Sequence, residues 1–244
     1  MGIRSRLAER LQKVLNRLIA AHVGGDDRPV FYDAAKVRPE LLELDANLDV
    51  VREELARVLP GTQKMPRYHE ADAAQTEISA KGRGNWRVFF ISFFWAREDF
   101  PSRAWCPRTA EIVDRIPGFL QAFFSIMEGG KSVPAHVGPG LHYLRYHIGL
   151  QIPEKNPPSI RIRDEVYTWK DGESMFFDDS LEHEVMNEAE EDRIILIVDV
   201  LRPLPWHLHL LNKLLLLLRT PRRKHLPEMN ASVAIEIPAP PATV

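Results

Sequence analysis

Hydrophobic residues in the first part of the chain recur every three or four positions, which is the spacing of an amphipathic helix. This spacing predicts a helix over residues 3–21 whose polar face is basic, and a second helical stretch over 39–59 that is either continuous or kinked. A short helix is also expected over 109–116. Thr109 is its expected N-terminal cap, because a threonine hydroxyl can accept a hydrogen bond from an unpaired backbone N–H group.

Later in the chain the pattern changes to short runs of β-branched and aromatic residues that are separated by turn residues. A first strand is predicted over 86–95, and polar loops are predicted over 65–85 and 101–107. Further strands are predicted over 119–127, 131–137, 143–152, 159–163, 165–170, 173–177, 183–187 and 193–200. Short strands at this spacing are typical of an antiparallel sandwich or barrel of the jelly-roll kind. The predicted fold class is therefore mainly β, with N-terminal helices and a C-terminal apolar helix.

The region after the last predicted strand is apolar and is flanked by basic residues. It predicts a helix that either covers one face of the barrel or makes a peripheral membrane contact through residues 203–224. The same alternatives hold for the helix over 3–21, whose basic face would suit an anionic membrane surface. The predicted units are a helical extension over 1–85 packed on the core, a β domain over 86–203, an apolar and basic helix over 204–226, and a disordered tail over 227–244.

The overall composition is that of a globular protein with little net charge. A formal net charge of −2 argues against a nucleic-acid partner. The single cysteine, Cys106, excludes an internal disulfide and a cysteine-rich zinc site. No apolar run reaches the roughly 18 residues needed to span a bilayer, and the charges near the N-terminus do not match a signal peptide. We therefore expect a cytoplasmic location, either free or at a membrane surface.

Histidine and arginine residues lie along the predicted strands in a pattern that suits a metal beside a dicarboxylate. His136 and His183 each lie at the edge of a strand-like segment, and imidazole is a common metal ligand near neutral pH. Arg145 and His147 are two positions apart on one strand, so their side chains point to the same face. Arg193 begins the last strand, and a hairpin would bring it close to His183. An arginine inside a barrel is unfavourable unless a carboxylate pairs with it.

Each of these residues has a simpler interpretation when it is taken alone. A histidine near a strand end is more often structural or solvated than a ligand, and Arg193 could pair at the surface with Asp192 or Asp199. The surroundings of His136 give little support for a metal site, because Gly138 stands where iron oxygenases usually carry an acidic ligand.

A larger set of short motifs resolves this ambiguity. In chain order they are Ser125-Ile126-Met127, His136-x-Gly138-Pro139, Leu144-Arg145-Tyr146-His147-Ile148-Gly149-Leu150, Trp169-x-x-Gly172-Glu173, Phe177-Asp178-Asp179-Ser180-x-x-His183-Glu184-Val185, Arg193, and Asp199-Val200-x-Arg202-Pro203. Through these motifs the segment over 86–203 resembles the aspartyl/asparaginyl β-hydroxylase family, with some features of its lipid-hydroxylase branch.

The resemblance implies a double-stranded β-helix and a dioxygenase that uses Fe(II), 2-oxoglutarate and O2. The implied iron ligands are His136 and His183, with Gly138 at the position of the missing acidic ligand. The implied cosubstrate-binding residues are Ser125, Met127, Arg145, His147 and Arg193. The implied catalytic residues are His136, His183 and Arg193. Asp178 and Asp179 are candidates for orienting the iron ligands, as acids beside metal-bound histidines often do.

The resemblance leaves the substrate open between two classes. The family's peptide-aspartate hydroxylases carry arginine where this chain has Tyr143, whereas Trp86 and Gln121 match their substrate-side positions. Gly138 favours this peptide branch, so the main expectation is hydroxylation of an Asp or Asn residue in a peptide or protein, with release of succinate and CO2. Tyr143 and the leucine-rich region favour the branch that hydroxylates acyl chains of lipid A and ornithine lipids. A jelly-roll binding module without catalytic activity is the third hypothesis.

Overall fold

The computed structural model describes residues 3–93 and 101–219. Within these ranges nine strands form two antiparallel sheets that pack face to face. The strands are Trp86–Phe93 (β1), Phe119–Met127 (β2), Val133–Val137 (β3), Tyr143–Gln151 (β4), Ser159–Ile162 (β5), Glu165–Thr168 (β6), Ser174–Phe177 (β7), Glu182–Met186 (β8) and Arg193–Leu201 (β9). The sheet orders are β1-β2-β9-β4-β7 and β3-β8-β5-β6. This is the order of a double-stranded β-helix, so the predicted jelly-roll fold is confirmed.

Helices precede and follow the barrel in the described part of the chain. They are Ile3–Val23 (α1), Ala34–Val37 (α2), Leu42–Ala46 (α3), Leu48–Val58 (α4), Tyr68–Ala71 (α5), Thr76–Ser79 (α6), Pro107–Arg115 (α7) and Trp206–Arg219 (α8). Shorter 3-10 turns occupy Gly25–Asp27, Pro39–Leu41, Leu59–Lys64, Ala73–Gln75 and Pro101–Ala104. The kink allowed in the second helical stretch lies at Asn47, between α3 and α4. Residues 94 and 95, predicted to continue the first strand, lie outside the described residues.

The loop predicted over 65–85 is wrong, because this stretch contains α5 and α6. Tyr68 begins α5 and is buried, and its ring centroid lies 4.6 Å from that of Trp86. Asp72 caps the turn that follows, since its side chain accepts a hydrogen bond from the N–H of Ala74. The polar sequence therefore reflects local capping and aromatic burial, rather than an absence of regular structure.

The predicted cap of the helix after the 101–107 stretch is also wrong. Helix α7 begins at Pro107, so Thr109 lies in its first turn and not at its N-terminal cap. The buried carboxylate of Glu54, on α4, accepts hydrogen bonds from the N–H groups of Arg108 and Thr109 at 2.8 and 2.9 Å. It also accepts the hydroxyl of Thr109 at 2.6 Å. A carboxylate from another helix therefore satisfies the unpaired N–H groups.

Strands β2 and β9 are buried at every position, because both faces of their sheet are covered. Helices α3, α4 and α7 cover the outer face, where Phe124 and Leu196 belong to the core. The four-stranded sheet covers the inner face, where Phe123 and Ile195 belong to a second core. Because side chains alternate along a strand, a polar residue on the inner face can point only into the space between the sheets.

A buried carboxylate joins both ends of the described domain to the turn between β7 and β8. Asp178 forms ion pairs with Arg28, before the barrel, at 2.8 Å and with Arg202, after β9, at 2.6 Å. Ser180 donates its backbone N–H and its hydroxyl to the same carboxylate. Burial raises the pKa of Asp178, but Arg202, Ser180 and Arg28 outweigh burial and leave the pKa below its ordinary value.

Helix α8 packs against α1 at the end of the described chain. Leu15 and Ile19 of α1 are buried, and Leu204 and Leu211 pack against them. Helix α8 lies within the helix expected over 204–226; residues 220–226 and the tail over 227–244 lie outside the described residues. No helix in the described ranges is long and apolar enough to cross a bilayer.

Replacing Asp178 with alanine would leave two buried guanidinium groups without their shared partner. We expect Asp178→Ala to lower the free energy of unfolding by about 3–5 kcal/mol, as for other broken buried ion pairs. Urea denaturation of the two proteins measures this difference.

Asp171→Ala is the matched control, because Asp171 forms an exposed ion pair with Arg52. Its loss should lower the free energy of unfolding by less than about 1 kcal/mol. Equal losses in the two variants would contradict the structural role of Asp178.

Candidate active site

A cavity of about 670 Å³ opens between the two sheets. Most of the predicted site residues line its wall, namely Trp86, Gln121, Met127, His136, Tyr143, Arg145, His147, His183 and Arg193. Ser125 lies behind the wall and contacts Arg193. Leu144, Tyr146 and Ile148 lie in the outer core, which confirms the alternation predicted for β4. Asp178 does not line the cavity; its ion pairs place it in the structural cluster described above.

The two predicted histidine ligands lie opposite each other on neighbouring strands. His136 on β3 is paired with His183 on β8, and their ring centroids are 4.1 Å apart. An extra residue in β3, between Val133 and His136, forms a β-bulge next to Pro134. Bulges commonly accommodate proline and change the direction of a side chain, and this one brings His136 into register with His183.

Backbone contacts determine which nitrogen of each ring faces the cavity. Nδ1 of His136 lies 2.9 Å from the carbonyl oxygen of Pro134, and Nδ1 of His183 lies 2.8 Å from that of Leu181. A carbonyl can only accept, so Nδ1 must carry the proton in both rings. The Nε2 lone pair of each ring is therefore available to a ligand, in the arrangement that orients many metal-bound histidines.

Both imidazoles are neutral at physiological pH. Burial and, to a smaller extent, the neighbouring His183 lower the pKa of His136 to about 4. Burial likewise lowers the pKa of His183 to about 4. Two neutral imidazoles suit a divalent transition metal. The described residues include no group of three or more His, Cys, Asp or Glu side chains that could hold a metal.

The side chain of Asp179 fills the space next to Gly138, where the missing acidic ligand would stand. A Cβ atom added at Gly138 would lie 2.6 Å from the main-chain oxygen of Asp179 and 2.8 Å from its Oδ1. Oδ2 accepts the hydroxyl of Tyr143 at 2.6 Å and pairs with Arg145 at 3.1 Å, whereas Oδ1 has no hydrogen-bond partner in the described part of the chain. Burial raises the pKa of Asp179 to about 6, against the opposing effect of Arg145.

Arg145 is held by two carboxylates and is therefore not an unpaired cation. It forms a bidentate pair with Asp199 at 2.8 and 2.9 Å, in addition to its contact with Asp179. Gln121 donates to the same Asp199 at 2.5 Å. The three residues Gln121, Asp199 and Arg145 stand directly across β2, β9 and β4 from one another. Asp199 thus pairs with Arg145 and not with Arg193, unlike the surface pairing considered from the sequence.

Arg193 is buried at the opposite end of the cavity without an ion pair to any described carboxylate. Its side chain is 2% exposed, and its guanidinium lies 4.6 Å from the ring centroid of Trp169. It donates to the hydroxyl of Ser125 at 3.2 Å, and Trp86 donates to the same hydroxyl at 2.9 Å. Burial lowers the pKa of Arg193 to about 9. Trp86, expected on the substrate side, therefore belongs to this cationic end.

His147 lies between Arg193 and the imidazole pair. Neither of its ring nitrogens has a hydrogen-bond partner among the described residues, and the ring is buried. Burial, Arg145, Arg193 and His183 all lower its pKa well below the ordinary value, so the ring is neutral. The aromatic rings of Trp169 and Phe177 lie on either side, at centroid distances of 6.0 and 4.9 Å.

The cavity therefore carries a buried positive charge at one end and two neutral imidazoles farther along. Its cationic end offers Arg193, held from behind by Ser125, and His147 to an anion, and the imidazole pair lies farther along the same cavity. A small dicarboxylate could bind Arg193 with one end and reach a metal on His136 and His183 with the other. Such an anion would provide the negative charge that the buried guanidinium lacks.

Two residues of the site, Asp199 and Trp169, stand in the matched motifs but were given no role in the site from the sequence. Asp199 is a charged residue in an apolar strand, and it has the same parity as Arg193, so both must face the cavity. Trp169, matched only as part of a motif, forms the surface on which the Arg193 guanidinium rests. No sequence pattern indicates that stacking, because Trp169 lies outside the named strands.

Comparison with known proteins gives a consistent set of relatives. A family model described as aspartyl/asparaginyl beta-hydroxylase matches residues 45–203. The ornithine lipid ester-linked acyl 2-hydroxylase of Rhizobium tropici is 37% identical over 177 residues, which cover 72% of this chain and 62% of that protein. The human aspartyl/asparaginyl beta-hydroxylase is 36% identical over 126 residues, which cover 50% of this chain and 16% of that protein. The matched region thus spans less than two thirds of either relative.

Solved structures add a distant likeness. A protein from Thermotoga maritima, described as a predicted oxalate decarboxylase, aligns with a TM-score of 0.35 and 14% identity, covering 49% of this chain and 83% of that chain.

The close approach of Asp179 predicts that Gly138 tolerates no side chain. We expect Gly138→Ala to lower the free energy of unfolding by about 1–3 kcal/mol, because a Cβ would overlap the backbone of residue 179. For the same reason Gly138→Asp should bind Mn(II) no more tightly than the wild type, although it supplies a carboxylate.

Val137→Ala serves as the control, since Val137 is the exposed neighbour of Gly138. Urea denaturation measures the stabilities, and electron paramagnetic resonance measures bound Mn(II). Tighter Mn(II) binding by Gly138→Asp would show that the space beside the imidazoles is open.

Proposed function

The chain belongs to the aspartyl/asparaginyl β-hydroxylase family, and from that premise we propose that it is an Fe(II)- and 2-oxoglutarate-dependent hydroxylase. One observation carries the proposal. Arg193, buried and without a described carboxylate partner, shares a cavity with two neutral imidazoles whose Nε2 atoms are available. This combination fits a metal beside a dicarboxylate, and the family supplies the reaction class.

In this proposal His136 and His183 hold the iron through Nε2. Their Nδ1 contacts with backbone carbonyls keep both rings in the required tautomer and orientation. Asp179 contributes negative charge near the metal, with Oδ1 directed at a donor such as a water molecule. Because only two neutral protein ligands are available, we expect weak metal binding until an anionic cosubstrate is present.

The same cavity supports a role for each cosubstrate-binding residue. Arg193 binds the remote carboxylate of 2-oxoglutarate, and neutral His147 donates or accepts one further hydrogen bond beside it. Ser125, which the sequence also assigned to the cosubstrate, acts through Arg193 by accepting a hydrogen bond from its guanidinium. Met127 lines the wall next to this end. Arg145, which the sequence assigned to the cosubstrate, acts through Asp179 and Asp199 as a positioning residue.

Bound iron and 2-oxoglutarate together supply the oxidant that inserts one oxygen atom of O2 into a substrate C–H bond, with succinate and CO2 as coproducts. The protein's own contribution is to bind, orient and exclude water. Trp169 and Phe177 enclose the cosubstrate end, so that Arg193 acts in an environment of low dielectric constant.

An acyl chain of a membrane lipid is the substrate class that the geometry favours. Tyr143 replaces the arginine of the peptide-aspartate enzymes, and its hydroxyl is bound to Asp179, while Arg145 is neutralised by two carboxylates. No unpaired cation is thus available at this end, among the described residues of the wall, to bind a substrate carboxylate. Leu120 and Leu216 line the wall beside Tyr143. The relative from Rhizobium tropici acts, by its name, on such a chain.

An Asn or Asp residue in a peptide is the second candidate. Gln121 supports it, because its side-chain carbonyl oxygen is buried in the cavity wall without a donor in the described part of the chain. That oxygen could accept the amide N–H of a peptide substrate.

We predict that Arg193 determines the affinity for 2-oxoglutarate. Arg193→Gln should weaken 2-oxoglutarate binding roughly tenfold or more, because a charge-assisted bidentate contact is lost. Isothermal calorimetry with the Mn(II)-loaded protein measures this without needing a substrate.

Arg161→Gln is the matched control, since Arg161 pairs with Glu182 and Glu184 on the other sheet. Equal affinities for wild type and Arg193→Gln would exclude the proposed cosubstrate site.

The substrate class can be decided by mass spectrometry. The full chain with Fe(II), ascorbate and 2-oxoglutarate is incubated with a bacterial lipid extract and, separately, with a library of Asp- and Asn-containing peptides. We expect a mass increase of one oxygen atom on an acyl chain, and none with His183→Ala. A product in the peptide library alone would favour the second candidate.

A further inference from the structure

Helices α1 and α8 share an apolar seam but leave large apolar side chains uncovered. Along α1 these are Leu11, Val14 and Leu18, and along α8 they are Trp206, Leu210 and Leu214. Their exposed fractions range from 37% for Leu11 to 78% for Trp206. Within each helix they recur every three or four positions, so each set forms one stripe. We call these two stripes the helical face.

The charged residues over 11–23 and 206–219, which carry the helical face, are all basic. Lys13 and Arg17 on α1 and Lys213 on α8 are exposed. Residues 11–23 and 206–219 contain no Asp or Glu. Apolar side chains among basic residues, with no acid between them, match the boundary between the headgroups and acyl chains of an anionic bilayer.

Helix α8 carries its part of the helical face on one side and contributes to the wall of the candidate active site with the other. Leu216, on the buried side of α8, packs with Leu120 and Tyr143 and lines the cavity. One side of α8 therefore faces the reaction site, while the other side carries exposed leucines. A membrane that covers the exposed side of α8 would therefore lie one helix away from this part of the cavity wall.

We propose that the helical face docks on an anionic lipid bilayer and delivers the acyl chain of a membrane lipid to the cavity. The docking depends on charge and apolar burial, and it rests on the proposed function only for the identity of the substrate. A second copy of the chain is a poorer occupant, because a symmetric contact would bring basic residues together. The binding is interfacial, with the side chains of both helices entering the headgroup region.

The test uses the full chain without iron or 2-oxoglutarate, sedimented with phosphatidylcholine vesicles that contain or lack phosphatidylglycerol. We expect binding to the anionic vesicles only. The variant Val14→Ser/Leu18→Ser/Leu210→Ser/Leu214→Ser should bind them roughly tenfold or more weakly, because four apolar insertions are lost. Lys13→Gln/Arg17→Gln/Lys213→Gln should reduce the preference for anionic lipid.

Val166→Ser/Met186→Ser is the matched control, because these residues are 60% and 41% exposed on the four-stranded sheet, away from both helices. The proposal would be overturned if the wild type did not bind anionic vesicles, or if the four-serine variant bound them as tightly as the wild type. It would also be overturned if analytical ultracentrifugation showed that the wild type is a dimer and the four-serine variant is a monomer.

A second measurement separates this proposal from the proposed function. The four-serine variant should hydroxylate lipid in vesicles poorly, but it should hydroxylate the same lipid dispersed in detergent as well as wild type does. Vesicle binding without any lipid product would leave the docking surface intact and would count against the proposed function alone.

Discussion

A guanidinium buried without an opposing carboxylate is the constraint on which the rest of this site depends. A buried, unpaired charge is unfavourable by several kcal/mol, and proteins normally neutralise it. This chain does so elsewhere: Asp178 lies between two arginines, and Arg145 lies between two aspartates. Arg193 has no carboxylate partner among the described residues, and its guanidinium contacts the hydroxyl of Ser125 and the ring of Trp169. The fold therefore holds a buried cation whose charge a bound anion would neutralise.

The opposite end of the cavity has more acidic than basic side chains. Asp179 and Asp199 face a single arginine there, and the imidazole pair lies between this acidic cluster and Arg193. A divalent cation on the imidazoles would be attracted by the acids, and a dianion by the guanidinium. The bound cation would attract the dianion, and the bound dianion would attract the cation. We therefore expect the metal and the cosubstrate each to bind more tightly when the other is present.

The sequence predicted the fold class, the alternation along β4 and the short list of cavity residues, because period-two patterning and motifs are local properties. It did not predict partners that depend on register. Whether Asp199 meets Arg145 or Arg193 is decided by which residues of β4 and β9 stand opposite each other. The cap that Glu54 provides for α7 joins two helices whose contact no local pattern encodes. The polar stretch over 65–85 was misinterpreted because burial of Tyr68 against Trp86 is a tertiary effect.

The position of β9 has a consequence for how the protein is made. It lies in the middle of the five-stranded sheet, between β2 and β4, although it comes last in the chain among the described strands. Arg202, one residue beyond β9, forms an ion pair with Asp178, which also pairs with Arg28 from the segment before the barrel. A chain still emerging from the ribosome would expose two unpaired strand edges until this strand arrives. Late closure of the barrel is thus built into the topology, and until then the edges of β2 and β4 can pair with other chains.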